Sequence, residues 1–232
     1  MLMTARTSKL RTLTQAIVPA TISIGGGASG TGGPFVANVF NGVGIGAAAA
    51  DRYIVSVVAF DTGAGAVALS NVNINNSNIC SKLAAFNQST FSIEIWITNA
   101  PFTTGTIADF VPTPATGDFT DMVLATYSVR GLVSNLISGS AQSSTTSGAA
   151  MSLPILADGV AIGGSYLLDA GKPGTNDGSG FTWSGLTEGR DKKALNIHGG
   201  AAAIASSTAT TLSIACTKGG GTTFGELCCA LR

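Results

Sequence analysis

At 232 residues the chain is long enough for one large all-β domain or two small ones. An apolar fraction of 45% and a mean hydropathy of +0.39 exclude a disordered polymer despite 31 glycines. Only 10% of the residues are Asp, Glu, Lys or Arg and the formal net charge is zero, against roughly a quarter charged in an ordinary soluble domain, so a surface covered by copies of the same chain or by other partners is expected.

The first 24 residues carry Arg6, Lys9 and Arg11 with no acid, among the apolar Leu10, Leu13, Ile17, Val18, Ile22 and Ile24. Thr14, Gln15, Pro19 and Thr21 interrupt the apolar run, so it reads as mature protein and not as a targeting segment. No apolar stretch reaches the roughly 18 residues of a membrane helix, and no membrane insertion is expected. Gly25 to Gly33 reads as a flexible linker. This divides the chain into a basic arm and linker, residues 1–33, and a body, residues 34–232. The arm is expected to anchor the protein through Arg6, Lys9 and Arg11, by strand addition to a sister copy or by lying in an acidic groove. The plainer alternative is a strand of its own sandwich. Three arm charges without interleaved aromatics make a poor phosphate footprint, so nucleic acid is not expected as a partner.

The body reads as β almost throughout. Arg52 to Asp61 is a β-branched and aromatic run, and Ala66 to Ile74 follows a glycine turn. From Phe91 to Thr98 the pattern alternates: Phe91, Ile93, Ile95 and Ile97 share one face, and Ser92, Glu94, Trp96 and Thr98 the other. Further strands are expected at Asp121–Val129, Met151–Leu156, Val160–Leu168, Phe181–Trp183, Leu195–Ile197, Thr211–Cys216 and Phe224–Leu231. The cluster Phe110 to Pro114 and the stretch Lys172 to Gly178 read as turns, and Ser138 to Gly148 as a long loop or a hinge between halves. Ser81 to Asn87 is expected as a short helix capped by Ser81. The fold class is therefore all-β: an antiparallel sandwich, jelly-roll-like, with an extended N-terminal arm.

Cys80, Cys216, Cys228 and Cys229 have no CxxC spacing, which excludes zinc ribbons. Neighbouring strand positions place Cys228 and Cys229 on opposite faces, so buried free thiols are expected, with a Cys80–Cys216 bridge as the alternative. Charge is uneven: residues 1–52 are basic, and residues 53–171 hold seven acids against Lys82 and Arg130.

No residues here assemble a familiar reaction centre. The glycine tract lacks the Lys-Ser/Thr of a phosphate loop. His198, the single histidine, has no GxSxG serine to serve and reads as a strand-end side chain. Asp109, Asp118, Asp121, Asp169 and Asp177 sit in turn-rich sequence without calcium-loop spacing, where backbone bonding accounts for them. Of the three glutamates, Glu188 and Glu226 have no evident partner, whereas Glu94 stands beside Trp96, a pairing suited to a sugar face. Glu94 and Trp96 are the candidate glycan contacts, against an ordinary solvent-face or interface reading, and Trp183 is expected in the core. No cofactor, no metal and no catalytic residue is expected.

Arg52 to Phe60, Gly159 to Tyr166 and Phe181 to Glu188 resemble, in that order, stretches of Gly/Ala/Thr-rich β-sandwich structural proteins of tailed bacteriophages. The resemblance spans residues 50–217 and is compositional. It implies a virion location and a non-enzymatic role as a fibre, spike or tail-tip component contacting the host surface. Capsid decoration is the near alternative, and a depolymerase working through Glu94 the enzymatic one. Its partners would be other copies of itself, in a trimer by analogy, other virion proteins and a host surface glycan.

Overall fold

A computed structural model describes residues 20–35, 39–61, 68–88, 91–116, 119–138, 141–168, 180–194, 197–218 and 223–232. Among them there is no helix. Eight strands come from the first half of the chain: β1 (Thr21–Phe35), β2 (Phe40–Gly44), β3 (Tyr53–Asp61), β4 (Leu69–Ile74), β5 (Asn78–Gln88), β6 (Phe91–Thr98), β7 (Ile107–Pro114) and β8 (Phe119–Arg130). Eight come from the second: β9 (Gln142–Ser144), β10 (Met151–Ile155), β11 (Gly159–Leu168), β12 (Thr182–Ser184), β13 (Thr187–Lys193), β14 (Ile197–Ser206), β15 (Thr210–Thr217) and β16 (Thr223–Leu231).

The protein is an all-β antiparallel sandwich whose layers segregate by chain half. β1 to β8 form one sheet in the order β1-β8-β3-β6-β5-β4-β7-β2; the second half makes a five-stranded sheet, β13-β14-β11-β16-β9, and a three-stranded one, β10-β15-β12. The eight-stranded sheet curls into a half-barrel until β2 meets the β1–β8 edge, where Thr126 Oγ1 donates to Gly44 O at 2.7 Å. Gly25 makes that approach possible, because a Cβ there would lie 2.6 Å from the same carbonyl.

Three apolar cores separate the layers. Phe60, Phe110, Phe119, Ile54 and Trp96 fill the half-barrel. Val57, Ile93, Ile95 and Tyr127 from its outer wall meet Ile162, Tyr166, Leu227 and Cys229 of the five-stranded sheet. The other face of that sheet packs through Ala161, Leu167, Phe224 and Cys228 on Leu153, Ile155, Trp183, Ile214 and Cys216. β6 and β11 therefore have both faces enclosed; β11 reads as a nearly unbroken run of apolar and small residues, whereas β6 buries Ser92, Glu94 and Thr98 along with its apolar face. Trp183 packs in the core as expected.

Local expectations fail where pairing overrides composition. Gly25 to Gly33 is not a linker: it lies within β1, paired with β8 from Thr21↔Arg130 to Phe35↔Phe119, because the β8 edge offers ladder bonds that outweigh the glycine entropy cost. Ser81 to Asn87 is not a helix but part of β5, drawn into register with β6 around a bulge between Lys82 and Ala84. The prolines of the presumed turn at Phe110 to Pro114 lie in β7. Neighbouring β2 pairs with β7 only from Gly44↔Ile107 to Phe40↔Phe110, so Pro112 and Pro114 have a partner on one side only, where a missing N–H is tolerated. Ser138 to Gly148 does join the two halves and carries β9. All four thiols are free and buried; Cys80 lies in the half-barrel core and Cys216 in the outer one, which rules out their bridge.

Candidate functional site

The alternating β6 face that suggested a glycan surface is enclosed. Glu94 is fully buried and Trp96 nearly so, since the half-barrel curls over them. Glu94 Oε1 accepts from the Leu69 N–H at 3.1 Å and from Lys82 Nζ at 3.0 Å, and Oε2 accepts from Trp96 Nε1 at 2.9 Å. Lys82 Nζ also donates to Leu69 O and stands 5.0 Å from the Trp96 ring centre. Burial raises the Glu94 pKa, while these donors oppose the rise. The arrangement is a buried ionic strut, with no face left for a sugar, which corrects both the glycan and the solvent-face readings.

Arg52 is a second strut, unnoticed in the sequence except as a strand start. Its fully buried guanidinium has no carboxylate and donates instead to backbone carbonyls. Nε reaches Phe102 O at 2.8 Å, Nη2 Thr104 O at 2.7 Å, and Nη1 Gly46 O at 2.7 Å and Gly105 O at 3.1 Å. One planar fork thus ties the segment before β3 to the loop after β6.

Glu226, a buried acid of the five-stranded sheet, is unlike these. In the five-stranded sheet one lateral register row runs Asp191↔Gly200, Gly200↔Ser165, Ser165↔Glu226 and Glu226↔Ser144, crossing every strand. The row faces the three-stranded sheet, where Trp183 and Cys216 stand paired on β12 and β15. Ser165 and Glu226 are fully buried, yet Ser165 Oγ, both Glu226 oxygens, Asp191 Oδ1 and Trp183 Nε1 have no hydrogen-bond partner. Gly200 makes the row compact, since a Cβ there would meet Ser165 Oγ at 2.7 Å and Asp191 Oδ1 at 2.8 Å. Asp191 Oδ2 accepts from the Phe181 N–H at 2.7 Å. Burial pushes the Glu226 carboxyl up to about 8, the Cys216 backbone offsetting part of the rise. Burial, with Glu188 nearby, pushes Asp191 up to about 6. Only the Glu/Asp content of β13 and β16 signalled this row; its convergence depends on register.

A groove of about 430 Å³ opens between the edge strands β1 and β13, lined by Ile22, Ser23, Tyr127, Thr187 and Ala203 to Ala205. The buried Tyr127 hydroxyl has no partner.

The other sequence candidates scatter. Arg6, Lys9 and Arg11 lie outside the described residues, as do Asp118, Asp169 and Asp177. Asp109 serves a turn: its Oδ1 accepts from the Gly42 N–H and its N–H donates to Asn75 Oδ1, both at 2.8 Å. Asp121 is buried in β8. His198 occupies the second position of β14, opposite Lys193 and Leu167. Among the described residues no three His, Cys, Asp or Glu converge as metal ligands. Compared with known proteins, the chain matches no family model, no curated protein and no solved structure.

Proposed function

We propose that the chain is a non-enzymatic structural subunit of a virion, one of many copies, forming a fibre, spike or tail-tip component or, alternatively, a capsid decoration. The observation that carries the subunit reading is a set of exposed apolar side chains in the segment that lies against the C-terminal strand. Val133 is 69% exposed and Leu136 65% exposed, with Ile137 beside them. This segment is held against the C-terminal strand by Ser134 N–H to Arg232 O and Ser138 N–H to Ala230 O, both 2.8 Å, and by the Ile137↔Leu231 bridge. Apolar side chains exposed on a charge-poor exterior favour burial against a second copy. The virion setting rests on the similarity of Arg52 to Phe60, Gly159 to Tyr166 and Phe181 to Glu188 to phage structural proteins. Glu94 gives no support to a depolymerase, because its carboxyl is enclosed and already holds three donors.

Sedimentation of the wild type and of V133E/L136E tests the subunit reading. An oligomer that the double variant converts to monomer supports it; a 23.1 kDa wild-type monomer at high concentration defeats it. Imaging of assembled particles with labelled protein tests the setting.

A further inference from the structure

The row Asp191–Gly200–Ser165–Glu226 is a packing fault only if its acids are ionised. Glu226 and Ser165 are fully buried neighbours with no hydrogen bond between them, and no side chain donates to the Glu226 carboxyl. Among the described residues the titratable groups around them are further acids and thiols: Cys216 on β15, Cys228 on β16, and Asp191 and Glu188 on β13. β9 contributes Gln142 and Ser144, and β12 contributes Trp183. Arg190 and Lys192 stand on the opposite side of β13, against Val57 and Val123 of the half-barrel. Lys218, beyond β15, acts on Asp191 and lies over the Phe181 ring. Among the described residues a carboxylate at Glu226 would thus have only the Cys216 backbone to offset its burial and no cation paired with it, whereas a neutral carboxyl packs at far lower cost.

We propose that this row is an acid-closed latch: with its carboxyls protonated, the three-stranded sheet seats on the five-stranded sheet, and when they lose their protons that outer layer loosens while the two inner cores stay packed. The direction follows from linkage. Closed, Glu226 keeps its proton up to about 8; open to water, it releases it near 4.5. Between those values closing takes up one proton, so the open fraction rises roughly tenfold per pH unit and levels off above the closed-state value. Asp191, about 6 when closed against 3.8 in water, adds a second proton below its closed-state value. The window from pH 6 to 8 therefore reports Glu226 by itself.

The cysteines read each layer separately: Cys216 and Cys228 lie in the outer core, Cys229 in the middle one and Cys80 in the half-barrel. The full chain would be alkylated with iodoacetamide across pH 5–9, each site quantified by peptide mass. Dividing each rate by that of the urea-unfolded chain at the same pH removes the thiols' own titration. The latch requires corrected rates at Cys216 and Cys228 to climb roughly tenfold per pH unit from 6 to 8 and then flatten, with Cys80 and Cys229 protected throughout. E226Q should be flat across that window and slower than wild type at pH 7.5; S165A should keep the slope. E226L, an apolar replacement, should behave as E226Q and carries the comparison if Gln prevents folding. The wild-type profile is decisive without any variant: a flat profile, or four cysteines opening together, overturns the latch. A slope retained in E226Q or E226L does so too.

Discussion

Glu226 on β16 stands directly across from Ser165 on β11, both side chains fully buried and with no hydrogen bond between them. Glu94 is just as buried but holds Lys82, Trp96 and the Leu69 N–H. The same residue type thus serves as a satisfied strut in the half-barrel and as a proton-holding group in the outer core. The difference lies in the donors each neighbouring strand supplies.

Global stability should therefore fall as pH rises from about 5 to 8. Glu226 stays protonated in the folded chain up to about 8 but ionises near 4.5 when unfolded, so its stabilising contribution is complete below the lower value and is lost on approach to the higher. Urea midpoints measured in half-unit steps should show a decline of up to about 1.4 kcal/mol per pH unit from this one group. In E226Q that component should vanish, leaving the Asp191 part below about 6.

Arg52→Lys should destabilise the fold by about 2–4 kcal/mol despite conserving charge. An ammonium cannot hold the carbonyls of Gly46, Phe102, Thr104 and Gly105 together, as the guanidinium does. Chemical denaturation measures the loss; a change below 0.5 kcal/mol, the range of an ordinary surface substitution, would mean that the two loops hold themselves.

Lys82→Met leaves Glu94 with two neutral donors in a closed core and should cost about 2–4 kcal/mol, whereas K82M/E94L should cost less than K82M by itself. A double-mutant cycle in denaturant reads the coupling. Trp96→Ala should lower stability by about 3–5 kcal/mol as a cavity in the half-barrel.

Gly25→Val should separate β1 from β2. Its Cβ would fall 2.6 Å from Gly44 O, in the space that Thr126 Oγ1 bridges. Overpacking against backbone at this edge predicts a loss of about 1–3 kcal/mol, with faster amide exchange along β1 and β8 and little change in β10 or β15.

What the sequence determined by itself is the class and the strand positions whose pattern is locally complete. Phe91–Thr98 is β6 to the residue, the runs at Arg52 and Asp121 are central strands, and Cys228 and Cys229 do lie in different cores. These follow from period-two geometry and β propensity, which act between near neighbours. Tertiary structure decided which faces are dry. Ser92, Glu94 and Thr98 alternate like solvent positions but are buried, because the sheet that carries them curls over its own inner face. Ladder pairing with a waiting edge likewise converted the glycine tract into β1 and the helix-like Ser81 to Asn87 into β5. The meeting of Asp191, Ser165 and Glu226 was beyond sequence reading, because it depends on the registers of β13, β14, β11 and β16. Register is set by which faces the layers bury, and a slip of one residue would turn all three side chains to the opposite core.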